Sequence, residues 1–171
     1  MKDKVDLEAL QNNIYIFLDI DGVLNNQNYI MKCYKMHDKP MSMHHVPFDP
    51  KCLKNLMILV QTLEKYKYKV ELVLSSTWRM SDISIEIVKA RLAEYGLRLY
   101  EKTGYRGHRG TEIKDYLERH DDYIYFLILD DDSFDIIDTY PDHLIKTKFK
   151  TGFTKSCLNK ALIKILGENY E

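Results

Sequence analysis

Two carboxylates spaced one residue apart, Asp19 and Asp21, follow an apolar run and precede Gly22. In an extended chain, residues two apart share a face, so both carboxylates can point at one centre. Two anions aimed at one point repel, and the pair becomes tolerable with a cation or a shared proton. Oxygen ligands without clustered thiolates favour Mg²⁺ over zinc or copper. A second acidic group, Asp130, Asp131 and Asp132, closes another apolar run over residues 123–129. Ser75 and Ser76 end a third run and lead into Thr77, Trp78 and Arg79. A small hydroxyl at a strand end can hydrogen-bond a phosphoryl oxygen without filling the site. Residues 102–110 form a basic, glycine-containing stretch with Lys102, Arg106, His108 and Arg109. Glycines let backbone amides approach an anion, and arginines bind it bidentately.

The elements that must position these residues alternate between strand and helix. Residues 14–18 are short, β-branched and aromatic without strict alternation, which predicts a buried parallel strand ending at Asp19. The C-terminal edge of such strands is where open α/β sheets bind ligands. Residues 70–74 predict a second strand ending at Ser75, and residues 123–129 a strong buried one. Residues 97–100 and 143–146 predict short strands. Asp49 and Pro50 open a helix whose stripe is Leu53, Leu56, Met57, Val60 and Leu63. Ser81 and Asp82 cap a helix ended by Gly96, and Thr154 caps a terminal helix ended by Gly167. The basic stretch runs into a helix from Thr111, whose N-terminus adds a favourable dipole for phosphate. Residues 1–13 read as a polar lead-in. Residues 25–47 read as a loop or small flap above the Asp pair. Their His37, His44 and His45 match no ligand spacing and read as solvated.

The chain has 171 residues, enough for one domain with a real core. A net charge of −1 gives no global basic field of the kind that drives non-specific nucleic-acid binding, so an anionic partner needs a local patch. Cys33, Cys52 and Cys157 are scattered and odd in number, which argues against a disulfide framework or a zinc knuckle and fits a reducing cytoplasm. No run approaches the ~20 apolar residues of a membrane helix, and the mixed-charge start leads into no signal-like segment.

The string Asp-x-Asp-Gly-Val-Leu over residues 19–24 resembles the first motif of the haloacid dehalogenase (HAD) superfamily, mostly Mg²⁺-dependent phosphatases. The string Leu-Ser-Ser-Thr-Trp-Arg over residues 74–79 resembles a HAD subgroup found in Swiss Army knife RNA-repair proteins. The motif order matches from about residue 14 to residue 166. The resemblance implies an α/β, HAD-like Rossmannoid three-layer fold over residues 1–171, with a mainly parallel sheet and minimal or no cap. It implies that the first and fourth strands are neighbours. It makes Asp19 the nucleophile and Asp21 the general acid/base. Ser75 is the second-motif hydroxyl, with Ser76 as the alternative. Arg109 takes the place of the commoner third-motif lysine, with Arg106 or Lys102 as alternatives. The implied Mg²⁺ set is Asp19, Ile20, Asp21, Asp130 and Asp131, with Asp132 and Asp135 further out. Arg79, Ser76 and Arg106 are candidate substrate-binding residues; Arg79 either clamps a phosphate or stacks on Trp78.

The expected activity is Mg²⁺-dependent phosphomonoester hydrolysis through an aspartyl-phosphate. RNA or DNA end phosphates are the favoured substrates, with Tyr105 and Trp78 available for stacking on bases. Nucleotides or other small phosphomonoesters are the alternative, followed by a non-catalytic acidic-pocket module.

Overall fold

The structure is a computed structural model, and it describes residues 12–36, 46–132 and 134–168. Five parallel strands form one sheet: β1 (Asn13–Leu18), β2 (Lys69–Leu74), β3 (Leu99–Lys102), β4 (Tyr123–Asp130) and β5 (Leu144–Lys146). Their order is β3-β2-β1-β4-β5, and every pairing is parallel. All six residues of β1 are buried, as expected of a central parallel strand.

Alternation along the strands sorts the core into two layers. Ile14, Ile16, Leu18, Leu72, Leu74, Leu127 and Leu129 face α2 (Pro50–Lys65), α3 (Asp82–Ala93) and α5 (Lys155–Leu166). Tyr15, Phe17, Val73, Phe126 and Ile128 face α4 (Arg109–Leu117), through Ile113, Tyr116 and Leu117. The helix ends follow their cap residues. Asp49 accepts from the Lys51 amide with Pro50 in the first turn, Ser81 accepts from Ser84, and Thr154 accepts from Cys157.

Residues 25–47 are not simply a loop. They contain α1 (Gln27–Met36), none of whose residues is buried. Asn26 caps it by accepting from the Tyr29 amide at 2.9 Å. His37, His44 and His45 lie outside the described residues. The third strand also sits two residues later than the sequence suggests, at Leu99–Lys102.

Register places the chemistry. Leu18 pairs with Leu74 on one side and Leu129 on the other. The next residues, Asp19, Ser75 and Asp130, therefore stand level at one edge. By alternation Asp19 and Ser75 fall on the α4 face of the sheet, the side of Phe17 and Val73.

Candidate active site

Arg109 opens α4 and reaches back over the sheet edge. Its Nη1 donates to Asp130 Oδ2 at 2.6 Å and to the Ser75 carbonyl at 2.6 Å, and lies 3.3 Å from Asp19 Oδ1. Asp19 is 7% exposed and Asp130 1%. Burial pushes the Asp19 carboxyl above its ordinary range, while Arg109 and a hydrogen bond from the Ser76 hydroxyl oppose the shift. Burial pushes Asp130 up as well, and the neighbouring Asp19 charge adds to it. Asp131 is raised by burial too. Burial works against the Arg109 charge, but Asp130 and then Asp19 hold it in place. The site thus collects acids whose charge needs compensation, and Arg109 supplies part of it.

Asp19, Asp130 and Asp131 offer carboxylate oxygens within 4.8 Å of one another. An all-oxygen set of this kind fits a hard cation such as Mg²⁺. The neighbouring backbone is shaped for it. Gly22 has φ +74°, and a Cβ there would lie 2.4 Å from the Asp131 carboxyl. Only glycine allows Asp131 to sit that close to the turn. Thr147 Oγ1 donates to the Gly22 carbonyl at 2.7 Å and fixes the turn from the far side.

Asp21 is held apart from the Arg109 cluster. Its Oδ1 accepts from Asn25 Nδ2 at 2.7 Å and its Oδ2 from Trp78 Nε1 at 3.0 Å. Ile20 is buried, and its carbonyl accepts the Val23, Leu24 and Asn25 amides. That oxygen is thereby turned into the loop, and the apolar side chain offers no ligand, so Ile20 does not join the acidic cluster.

The two serines divide their roles. The Ser76 hydroxyl reaches Asp19 and also accepts from the Trp78 amide at 3.4 Å. The Ser75 hydroxyl is buried and has no hydrogen-bond partner.

Two of the candidate substrate-binding residues have their charge engaged by other protein groups. Arg79 is 5% exposed and spends its donors on the Gly104 carbonyl, the Ser76 carbonyl and Glu112. Neither phosphate clamping nor stacking on Trp78 describes it, since the ring beside its guanidinium is Tyr105 at 5.7 Å. Arg106 is ion-paired with Asp115 at 2.9 Å on the surface. Lys102 donates to the Arg79 carbonyl at 3.3 Å. Of the three third-motif candidates, Arg109 is the one that touches the acids.

Glu112 escaped the sequence reading. It pairs with Arg79 and accepts the Arg106 and Gly107 amides, which fixes the loop ahead of Arg109. Asn25 and Thr147 were also missed. A glutamate in the first turn of a helix is a signal for such amide contacts. Asp132 and Asp135 face backbone: Asp132 accepts from the Phe134 amide and Asp135 from the Gly110 amide. A cavity of about 350 Å³ beside Arg109 and Asp130 is bordered by the exposed rings of Tyr105 and Phe134. A wider groove of about 1020 Å³ between α2 and α5 contains none of the candidate catalytic residues.

A parallel sheet of this order, with acids where the strand order reverses between β1 and β4, defines a Rossmann-like α/β domain with its site at the switch point. Residues 15–158 match the family described as the HAD domain in Swiss Army Knife RNA repair proteins, and the chain belongs to this family. Membership places it among phosphatase-type hydrolases, a superfamily that is generally Mg²⁺-dependent. No curated protein and no solved structure matches the chain. Among the described residues, no helix is long and apolar enough to cross a membrane.

Proposed function

We propose that the domain is a Mg²⁺-dependent phosphomonoester hydrolase that works through an aspartyl-phosphate and acts on the phosphorylated ends of nucleic acids. The observation that carries this reading is the contact of Arg109 with both Asp19 and Asp130 at the sheet edge. A nucleophilic carboxylate beside a fixed guanidinium suits an electron-rich phosphoryl group. Asp19, Asp130 and Asp131 would hold the Mg²⁺, which supplies neutralising charge for the phosphoryl oxygens.

The chain's own residues do the rest. An Asp19 oxygen attacks phosphorus in line, and the bond from phosphorus to the leaving oxygen breaks. Asp21 gives that oxygen a proton. Asp21 then takes a proton from water as the water attacks the phosphoryl-aspartate. Phosphate departs and the Asp19 carboxylate is restored. Arg109 binds the phosphoryl oxygens, and the unpartnered Ser75 hydroxyl donates to one of them. Ser76 holds Asp19 in position. Positioning and charge stabilisation carry most of the acceleration, because the transition state is loose.

The nucleic-acid part of the reading is supported by the RNA-repair setting of the family. One observation favours a second reading, in which the substrates are nucleotides or other small phosphomonoesters. Arg109 is engaged with Asp19 and Asp130 and Arg106 is paired with Asp115, so the basic stretch leaves few free cations to follow a phosphate backbone. Phosphate release from a panel separates the two: a nitrophenyl phosphate, mononucleotides, and RNA and DNA oligonucleotides with 3′ or 5′ phosphates. Preference for an oligonucleotide end supports the first reading, and preference for mononucleotides supports the second. No Mg²⁺-dependent release from any of them by folded protein overturns both.

A further inference from the structure

We propose that Trp78 is a positioning residue for Asp21: its indole N–H fixes the carboxyl so that the acid proton, on a position left free by its hydrogen-bond donors, points at the leaving oxygen. The inference rests on the phosphatase reading above and adds to it the group that aims the acid. A proton donor works only if its oxygen lies in hydrogen-bond reach of the departing atom, so the orientation of the carboxyl plane matters. A carboxylate has about four lone-pair sites, and two non-titrating donors claim one on each Asp21 oxygen. Asn25 Nδ2 takes Oδ1 at 2.7 Å, and Trp78 Nε1 takes Oδ2 at 3.0 Å.

Both donors are themselves held. Asn25 is fully buried and its Oδ1 accepts the Gly22 amide at 3.2 Å. The Trp78 ring meets Phe48 edge-on, with centroids 5.5 Å apart and planes at 77°. Its amide donates to Ser76 Oγ, and the Ser76 hydroxyl also bonds Asp19. The short 3₁₀ turn Thr77–Met80 and its cap Ser76 therefore tie the nucleophile to the acid through two residues, Ser76 and Trp78, that are two positions apart. An indole N–H donates and does not accept, so Trp78 cannot relay the proton and acts through orientation alone.

The test compares two substrates in Trp78→Phe, which keeps an aromatic ring against Phe48 and removes the N–H. A nitrophenyl leaving group departs without a proton, whereas the alkoxide of a glycerol phosphate needs one. The ratio of kcat/KM for glycerol phosphate over nitrophenyl phosphate is expected to fall about 10- to 100-fold, the size of a small misplacement of a catalytic group. A ratio within about twofold of the unsubstituted protein overturns the role, whether both rates fall together or neither does. A second readout does not depend on turnover. The chain has one tryptophan and so gives one indole N–H resonance. Asp21→Ala is expected to move that resonance and to speed its exchange with solvent; an unchanged resonance overturns the contact. If the unsubstituted protein turns over neither these two nor any member of the panel above, the phosphatase reading fails and the positioning role falls with it; with activity on nucleotides or oligonucleotides alone, the indole resonance decides the contact. A retained ratio in an active enzyme removes the role alone.

Discussion

Arg79 and Glu112 form an ion pair at 2.5 Å with side chains only 4% and 2% exposed. The pair joins the turn after β2 to the first turn of α4, so it sets the distance between Ser76 and Arg109. Removing one partner of a buried pair leaves a charge without compensation. Glu112→Gln is expected to cost about 3–5 kcal/mol of stability by urea unfolding. Replacing both residues with apolar ones of similar volume should recover much of that. A cost below about 1 kcal/mol for the single change would contradict a buried, charged pair.

Arg109 contributes positive charge to a cluster of acids, so its loss should move two measurements in opposite directions. Arg109→Ala is expected to lower kcat/KM for phosphate release by about 10²–10³-fold, the scale of losing a preorganised electrostatic donor. The same change should tighten Mg²⁺ binding by calorimetry, because Asp19 and Asp130 lose their competing cation. Weaker Mg²⁺ binding in a folded variant would mean that Arg109 organises the acids more than it neutralises them.

The glycine after the Asp pair gives a third prediction. Gly22→Ala places a Cβ against the Asp131 carboxyl at a left-handed φ of +74°. Saturating Mg²⁺ at about 100 times its dissociation constant should stabilise the unsubstituted protein by about 2.7 kcal/mol. The alanine variant should lose most of that increment in a thermal unfolding assay, beyond its own destabilisation. An unchanged increment would remove Asp131 from the ion's surroundings.

At the opposite end of the sheet, the Tyr15 hydroxyl donates to Asp122 at 2.6 Å. This hydrogen bond holds the Asp122 carboxyl below its ordinary value. A depressed acid contributes stability above the ordinary carboxylate pKa and loses it as pH falls through the depressed value. Because Asp122 is exposed, the contribution is about 1 kcal/mol rather than the full value of a charge-assisted bond. The stability gap between the unsubstituted protein and Tyr15→Phe should therefore narrow in acid. A gap that is independent of pH would assign the effect to ring packing.

Much of this arrangement was legible in the sequence because it is local. An apolar run that stops at acids marks both a buried strand and its functional end, so β1, β4, Asp19 and Asp130 are written in adjacent residues. The arginine at the start of α4 follows from a basic stretch running into a helical pattern. Contacts between distant segments were not legible. Trp78 bonds Asp21 across 57 positions and Arg79 bonds Glu112 across 33. In sequence Arg79 reads as well as a phosphate clamp as it does as a partner of Trp78, and the fold instead buries it against Glu112. Helix α1 was missed although Asn26 is a good N-cap and Tyr29, Ile30, Cys33 and Tyr34 recur at helical spacing, because the polar run over residues 25–28 and the prolines at 40 and 47 make the stretch read as a loop.

The most direct test of the account is acid-quenched trapping of the phosphoryl group on the protein. With Mg²⁺ and a labelled phosphomonoester, a single turnover stopped in acid should leave the label on the peptide containing Asp19, and Asp19→Asn should remain folded yet lose both label and phosphate release. Phosphate release with no protein-bound label, or turnover by Asp19→Asn close to that of the unsubstituted protein, would contradict Asp19 as the nucleophile.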